Sequence, residues 1–265
     1  MNLTDFPVRI LVRSALTRRT LTVSGVRDLS PTLRRVTLTG ADLDGFSAVG
    51  PDDHIKVFFP AAAGTAADVF ARDFTPRAFR PAPVGAAEGS GGELDLDFAL
   101  HGTDAPATGW AARAVVGDTL QIGGPRGSQL LPVGIRSAVL VADATALPAA
   151  ARWLAALPNE VSVRVIVAGT DPAFAEYLAE ARRPGVQIDS VPGDPLALVE
   201  AVQAQPIEDG TFVWAAGEAG LLIPLRRYLR GQLGLGRDQA QLSGYWKRGV
   251  ENLDHHAPLD PTDPD

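Results

Sequence analysis

The chain has 265 residues, enough for one large domain or two modest ones, and 24 basic against 31 acidic residues give it a formal net charge of −7. This balance argues against a general nucleic-acid binder, which needs a broad basic face. The lack of any cysteine excludes disulfides, thiolate nucleophiles, cysteine-ligated iron–sulfur clusters and cysteine zinc sites.

Histidine usage and hydropathy set expectations about metal sites and location. The four histidines show no HxxxH spacing, so no metal site is expected. The segment "MNLTDFPVRILVRS" lacks the basic-then-apolar layout of a signal peptide, and no run of 18 apolar residues occurs in the chain. We therefore expect a cytoplasmic protein with no membrane insertion, and we expect it to be a monomer.

Residues 1–133 are predicted to form an antiparallel β-barrel domain. Short alternating segments such as "TLTVSGVRDLS", "HIKVFFP" and "ELDLDFALHG" are separated there by Gly, Pro, Asp or Ser. In the last of these segments, apolar and acidic side chains fall on opposite faces of one strand: Leu94, Leu96, Phe98 and Leu100 on one, and Glu93, Asp95 and Asp97 on the other. Such alternation is typical of a sheet with one buried face.

Residues 134–265 are predicted to form an α/β domain of the nucleotide-binding type. From residue 137, four apolar segments ("SAVLVADATA", "VSVRVIVAG", "VQIDSVPG" and "TFVWAAGEAG") are each followed by a helical pattern. Repeated strand–helix units of this kind indicate a parallel sheet covered on both faces, so the predicted fold class is β + α/β. Ligands of such sheets bind outside the carboxyl ends of the strands, and a cleft between the two domains is the default active site.

The segment "ARDFTPRAFR" (71–80) concentrates three arginines around a Phe-Thr pair and a proline. If it is extended, Arg72 and Phe74 share one face while Thr75 and Arg77 share the other, and Pro76 restricts it to an edge strand or a turn entry. An arginine beside an aromatic ring and a hydroxyl suits a phosphorylated aromatic cofactor. On this segment alone, a solvated basic strand remains the simpler interpretation.

Two later loops add candidate anion contacts. "HGTDAPATGWA" (101–111) follows the alternating strand and opens a helix, so it can present backbone N–H groups to an anion. "GDTLQIGGPRGS" (117–128) ends a strand in a Gly-rich loop. Each of them is also what an ordinary barrel turn looks like.

In their order along the chain, these segments resemble the ferredoxin-reductase superfamily and, more narrowly, the FAD-binding siderophore-interacting proteins, which are ferric-siderophore reductases. That family carries an R-x-Y-T-x-R strand, an H-G-x-x-G-P-A-x-x-W-A loop, a D-E-T-A-L-P-A helix start, a W-x-A-G-E-A strand end and a G-Y-W-[KR]-x-G tail. The matching segments here are "RDFTPR" (72–77), "HGTDAPATGWA" (101–111), "DATALPA" (143–149), "WAAGEAG" (214–220) and "GYWKRG" (244–249). The resemblance spans roughly residues 20–250, and "GYWKRG" is its most selective element.

The resemblance implies a set of FAD contacts in this chain. Arg72 would bind the ribityl-phosphate region, and Phe74 and Thr75 would contact the isoalloxazine ring. The residues that would line the flavin and its pyrophosphate, largely through backbone groups, are His101, Ala107, Thr108 and Trp110. The residues that would lie near the adenine end are Asp143, Thr145 and Ala146.

The same resemblance implies a substrate site. Lys247 and Arg248 form the predicted catalytic-site pair, which would face an anionic ferric siderophore beside the flavin. Arg77, a further predicted cofactor contact, would assist them. Such attraction should weaken as salt concentration rises.

Three departures from the family motifs bear on cofactor binding. Phe74 replaces the tyrosine of the flavin strand, Ala105 replaces a glycine of the pyrophosphate loop, and Ala144 replaces the glutamate of "DETALPA". We expect these changes to weaken FAD retention without changing the fold.

The function implied by the resemblance is flavin-dependent reduction of Fe(III) in a siderophore, with electrons from NAD(P)H passing through FAD. Reduction lowers the affinity of iron for hard oxygen ligands, and this requires no metal site in the protein. Alternatives are ferredoxin as the donor, a general flavin reductase of the same superfamily, or a non-catalytic siderophore-binding module. Asp171, after the second α/β strand, favours NADH over NADPH.

Overall fold

The computed structural model describes residues 8–60, 69–85, 91–100, 105–181, 183–250, 253, 258–260 and 262. They form two compact units, called here the barrel unit, Leu11–Leu130, and the α/β unit, which contains residues 8–10 and the chain from Leu131 onward. The barrel unit thus ends three residues before the predicted boundary at 133, and residues 8–10 join the other unit. Arg9 accounts for this, because its guanidinium lies 4.8 Å from the ring centroid of Trp153 and donates to Gln241 Oε1 at 2.5 Å.

Within the described residues, the barrel unit consists of antiparallel strands, one α-helix and a short 3₁₀ helix at Ala41–Leu43. Its elements are β1 (Leu11–Arg13), β2 (Arg18–Ser30), β3 (Leu33–Thr39), β4 (Ile55–Pro60), β5 (Val69–Phe74), β6 (Pro76–Arg80), β7 (Glu93–Ala99), α1 (Pro106–Arg113), β8 (Thr119–Gly123) and β9 (Gly127–Gln129). β1 pairs only with β9, whereas the other seven strands form one sheet in the order β5-β4-β8-β2-β3-β7-β6. The predicted antiparallel architecture is confirmed.

This seven-stranded sheet curls because its two end strands are consecutive in the chain. β5 and β6 lie at opposite ends of the sheet, yet only Thr75 separates them. Two peptide steps span at most about 7 Å, so the first and last strands must meet at this residue. Both are edge strands, as the proline at position 76 predicts.

The interior of the barrel is apolar and includes an aromatic cluster. Leu94, Leu96 and Phe98 of β7 lie in this core, as predicted, whereas Asp95 and Asp97 on the opposite face are buried as well. The Phe98 ring lies 6.2 Å from Phe59 and 5.9 Å from Trp110, measured between ring centroids. Trp110 belongs to α1, so this helix packs its indole ring against the strands.

The α/β unit contains a parallel sheet with helical connections. Its elements are β10 (Ser137–Ala142), α2 (Leu147–Ala156), β11 (Ser162–Ala168), α3 (Pro172–Ala179), β12 (Val186–Val191), α4 (Pro195–Gln203), β13 (Thr211–Glu218), α5 (Ala219–Arg227) and β14 (Ala240–Trp246). The strand order is β12-β11-β10-β13-β14, and all four pairings are parallel. The order reverses between β10 and β13, where ligands of such sheets approach.

The strand–helix alternation predicts four strands, whereas the sheet has five. The additional strand, β14, comes from the tail and ends in the "GYW" of the most selective motif. It pairs with β13, with an irregularity in register between Gly217 and Glu218. As a result, the carboxyl ends of three neighbouring strands, β10, β13 and β14, meet at one edge of the sheet.

Candidate active site

The arginine-rich segment crosses the junction between the first and last barrel strands. Arg72 lies opposite Val57, and Phe74 lies opposite Ile55, so both share the core-facing side of β5. The ladder ends at Phe74, and the alternation predicted to continue through Thr75 to Arg77 is therefore interrupted. Thr75 is buried at the junction, and Arg77 is half-buried on β6.

Phe74 connects this junction to helix α1 through the aromatic cluster. Its ring centroid lies 4.6 Å from that of Phe98 and 5.7 Å from that of Phe59. Trp110 lies 5.5 Å from Phe59, measured in the same way. The structure thus brings the predicted flavin-ring strand and the predicted pyrophosphate helix together in one unit.

Within the described residues, no side chain caps the amino terminus of α1. Ala105 occupies the N-cap position and has no side-chain acceptor, Pro106 follows it, and the first turn contains no acidic residue. By contrast, α3, α4 and α5 begin with the carboxylates of Asp171, Asp194 and Glu218. The backbone N–H groups of the first turn and the helix dipole of α1 suit an anion.

The other end of α1 supports the same polarity. Arg34 Nη1 donates to the carbonyl oxygens of Ala111 at 3.1 Å and Ala112 at 2.7 Å. A cation thus occupies the carboxyl end of the helix. Ala107 and Thr108, predicted pyrophosphate contacts, lie in its first turn, half-buried and buried respectively. The remaining predicted contact of this loop, His101, lies outside the described residues.

In the α/β unit, the three residues predicted to contact adenine form a turn directly before α2. Asp143 Oδ1 accepts hydrogen bonds from Thr145 N at 2.8 Å, from Thr145 Oγ1 at 2.6 Å and from Ala146 N at 3.3 Å. Ala146 is fully buried. These contacts explain the three residue types from within the chain.

Asp143 also connects the ends of β13 and β14. Its Oδ2 atom accepts the backbone N–H of Glu218 and the indole N–H of Trp246, each at 2.8 Å. Gly217 is necessary for this approach, because a Cβ atom there would lie 2.6 Å from Asp143 Cγ, at a φ of +144°. The motif fragments "DATALPA", "WAAGEAG" and "GYWKRG" thus meet at one carboxylate.

Lys247 and Arg248 occupy a tight turn directly after β14. Val250 N donates to the Lys247 carbonyl oxygen at 3.0 Å, and Gly249 at the third position has the φ of +75° that this turn requires. Glu218 Oε1 accepts the backbone N–H of Arg248 at 3.0 Å. Lys247 is half-buried and Arg248 exposed.

Two residues of this edge are missing from the sequence-based site assignment. Trp246 holds the start of the turn and Glu218 holds its second residue. Trp246 belongs to "GYWKRG", yet the motif does not reveal which partner its indole N–H has. Glu218 ends a buried strand immediately before a helix. This position predicts a helix cap, but it does not predict the second hydrogen bond, from Arg248 N–H to the Glu218 side chain.

The described part of the chain has neither a cluster of metal-binding side chains nor a membrane-spanning helix. There, no three acidic or histidine side chains are grouped so as to hold a metal ion. No helix in the described ranges is both long and apolar enough to cross a membrane.

Two family models cover both units. The model for the siderophore-interacting FAD-binding domain matches residues 22–129, and that for siderophore-interacting proteins matches residues 135–249. The NADPH-dependent ferric-chelate reductase of Escherichia coli is 32% identical over 264 residues, which cover 92% of this chain and 98% of the relative. The chain belongs to the siderophore-interacting protein family.

Further relatives of this siderophore-interacting protein agree in both sequence and fold. The ferric vibriobactin reductase ViuB of Vibrio cholerae is 30% identical over 244 residues, covering 86% of this chain and 89% of the relative. The crystal structure of a siderophore utilization protein from T. fusca superimposes with a TM-score of 0.80 at 34% identity, covering 94% of this chain and all of that one. The predicted family and fold class are thereby confirmed, while the individual site residues remain predictions.

Proposed function

We propose that this chain is an FAD-dependent ferric-siderophore reductase that uses NADPH as its electron donor. The observation that carries the proposal is the match of both units to one named reductase, of whose length the chain covers 98%. When bound, FAD accepts two electrons from a nicotinamide nucleotide and passes them on singly. One NADPH would therefore reduce two Fe(III) complexes to Fe(II), releasing NADP⁺ and one proton.

The barrel unit offers groups that fit FAD. The backbone N–H groups at the start of α1, which no side chain of the described residues caps, suit the pyrophosphate near Ala107 and Thr108. Arg72 carries a positive charge to the core-facing side of β5, where a phosphate or ribityl oxygen would bind. Phe74 supplies an apolar ring, and Thr75 a hydroxyl, at the same junction.

The α/β unit offers groups that fit an anionic iron complex. Lys247 and Arg248 stand in adjacent positions of the turn that follows β14, and no ion pair involves either of them within the described residues. Two adjacent positive charges suit an anionic complex. The electrostatic attraction would be screened by added salt.

NADPH, and not NADH, is proposed as the donor. Asp171 accepts the backbone N–H of Ala173 at 3.0 Å and caps α3, which accounts for this acidic residue without a nucleotide. The Escherichia coli relative is named NADPH-dependent. The NADH preference inferred from Asp171 is therefore not maintained.

The visible absorption spectrum of the purified protein tests the proposal. Under anaerobic conditions, flavin bands should bleach on addition of NADPH and return when a ferric tris(catecholate) siderophore and a chromophoric ferrous chelator are added. Flavin bands that bleach only with reduced ferredoxin would identify ferredoxin, and not NADPH, as the electron donor. A protein without flavin bands even after added FAD would be the non-catalytic binding module, and one that reduces free flavin but no iron complex would be a general flavin reductase.

A further inference from the structure

Asp143 is satisfied from within the α/β unit. Its carboxylate accepts five hydrogen bonds, two from Thr145 and one each from Ala146, Glu218 and Trp246. The side chain is 8% exposed. Such a carboxylate has little remaining capacity to accept hydrogen bonds from a ligand, so its role is to connect parts of the α/β unit.

What Asp143 connects is the turn that carries the two cations. The indole of Trp246 is tied to Oδ2, and Lys247 follows Trp246 directly. The same oxygen accepts Glu218 N, and the Glu218 side chain accepts the backbone N–H of Arg248. Both ends of the Trp246–Arg248 segment are therefore attached, directly or in two steps, to one carboxylate.

The hydrogen bonds from the turn to Asp143 and Glu218 come from an indole and a backbone N–H group, and not from the cationic side chains. Within the described residues, the Asp143 and Glu218 carboxylates accept backbone N–H groups, the Trp246 indole N–H and the Thr145 hydroxyl, and neither forms an ion pair with Lys247 or Arg248. Acidic residues next to a basic pair would ordinarily lower its attraction for an anion. Here their hydrogen-bonding capacity is used to hold the backbone of the turn.

We propose that Asp143 is a positioning residue for substrate affinity, acting through Trp246 and Glu218 to fix the Lys247–Arg248 turn for anionic ferric complexes. The inference rests on the proposed function and assigns Asp143 a role other than the adenine contact implied by the family resemblance. Trp246 transmits that position to Lys247, and Glu218 transmits it to Arg248.

The central test is Asp143→Asn, which keeps size and shape. The asparagine has a single acceptor oxygen, so if this stays with Thr145 and Ala146, its NH₂ group faces two donors, Glu218 N–H and the Trp246 indole N–H. The dissociation constant of a trianionic ferric tris(catecholate), titrated against oxidised holoprotein by absorbance, should rise about tenfold. That of an uncharged ferric tris(hydroxamate) should stay unchanged.

Three further variants separate positioning from general damage. Trp246→Phe keeps an aromatic side chain, although a smaller one, and removes the indole donor, so it should reproduce part of the effect. The double variant should bind no more weakly than Asp143→Asn. Lys247→Gln removes the charge itself and sets the scale of the change. Asp194→Asn makes the same substitution at the cap of α4 and should leave both dissociation constants at their wild-type values.

The possible outcomes distinguish this inference from the proposed function. Equal weakening of the charged and uncharged complexes, or wild-type affinity in both Asp143→Asn and Trp246→Phe, would overturn the positioning role alone. Loss of FAD from Asp143→Asn would restore the adenine contact in its place. Wild-type protein that binds neither complex would overturn the proposed function as well.

Discussion

Asp95 is buried, although it lies on the face of β7 opposite the apolar core residues. Arg80 donates to its two carboxylate oxygens at 2.7 and 2.9 Å, and Thr37 Oγ1 donates at 2.8 Å. The side chain of Asp95 is 5% exposed and that of Arg80 is 48% exposed. Asp97, two residues further along, is paired with Arg35 in the same way. The acidic face of β7 is thus covered by arginines of its neighbouring strands.

This arrangement makes the stability of the barrel depend on pH. Burial raises the pKa of Asp95, but hydrogen bonds from Arg80 and Thr37 more than compensate, so the pKa lies below its ordinary value of 3.8. Asp95 in the unfolded chain therefore takes up its proton at higher pH than in the folded barrel. The stabilisation is complete above the unfolded pKa and is lost as the pH falls through the folded pKa.

Asp95→Asn is expected to lower the free energy of unfolding by about 2 kcal/mol at pH 7, because a charge-assisted pair is lost from a buried position. The difference from wild type should shrink in acid. Urea denaturation at pH 7 and pH 3 measures both effects. Asp28→Asn is the matched control, since Asp28 pairs with Arg34 but is 62% exposed. A deficit of the same size at both pH values would contradict this account.

At the scale of elements, α1 differs from α3, α4 and α5 in how it begins. A carboxylate caps each of those three helices, whereas α1 begins with the exposed Ala105 and has no side-chain cap within the described residues. Helix α2 also begins with an alanine, but Ala146 is fully buried. An alanine at the N-cap makes a helix less stable, typically by about 1 kcal/mol relative to Asp or Asn. An anionic ligand that accepts the first N–H groups of α1 would compensate for this loss.

Ala105→Asp tests this interpretation with Ala105→Asn as its partner. Both substitutions should raise the melting temperature of the apoprotein, because each supplies a cap. Only the aspartate places a negative charge where the pyrophosphate would bind, so it should weaken FAD binding about tenfold relative to the asparagine. FAD fluorescence titration measures the dissociation constants. Equal constants for the two variants would move the pyrophosphate away from α1.

At the scale of the whole molecule, the α/β unit is built from two stretches of the chain that the barrel unit separates. Residues 8–10 belong to the α/β unit, the chain then builds the barrel, and it returns at Leu131. Arg9, only 4% exposed, packs on Trp153 of α2 and donates to Gln241 of β14. The amino-terminal segment thus fastens two elements of a unit whose remaining sequence lies more than 100 residues away.

Arg9→Ala should lower the free energy of unfolding of the α/β unit by about 2 kcal/mol, because a buried cation–π contact and a charged hydrogen bond are lost. Tryptophan fluorescence during urea denaturation reports mainly on this unit, which contains Trp153, Trp214 and Trp246. Arg13→Ala, at an exposed position of β1, should have little effect. If the two variants unfold alike, Arg9 does not hold the segment.

Local patterns in the sequence predict most of the fold but only part of the site. Alternation identifies β7, and apolar runs followed by helices identify β10 to β13, because both signals are repeated within a few residues. β14 is missed because "AQLSGYW" is poor in β-branched residues and is stabilised as a strand by its pairing with β13. The bond from Trp246 to Asp143 spans 103 positions, and no periodicity encodes a contact of that range.

The single residue between β5 and β6 has a thermodynamic consequence. Thr75 is the only covalent connection between the first and last strands of the sheet. FAD bound by Arg72 on one strand and Arg77 on the other would add a second, noncovalent connection across the same junction. A ligand that binds only the folded barrel, in which β5 and β6 meet, stabilises that state by mass action. The supply of FAD would then affect the lifetime of the protein, because the FAD-free form would unfold and be degraded more readily.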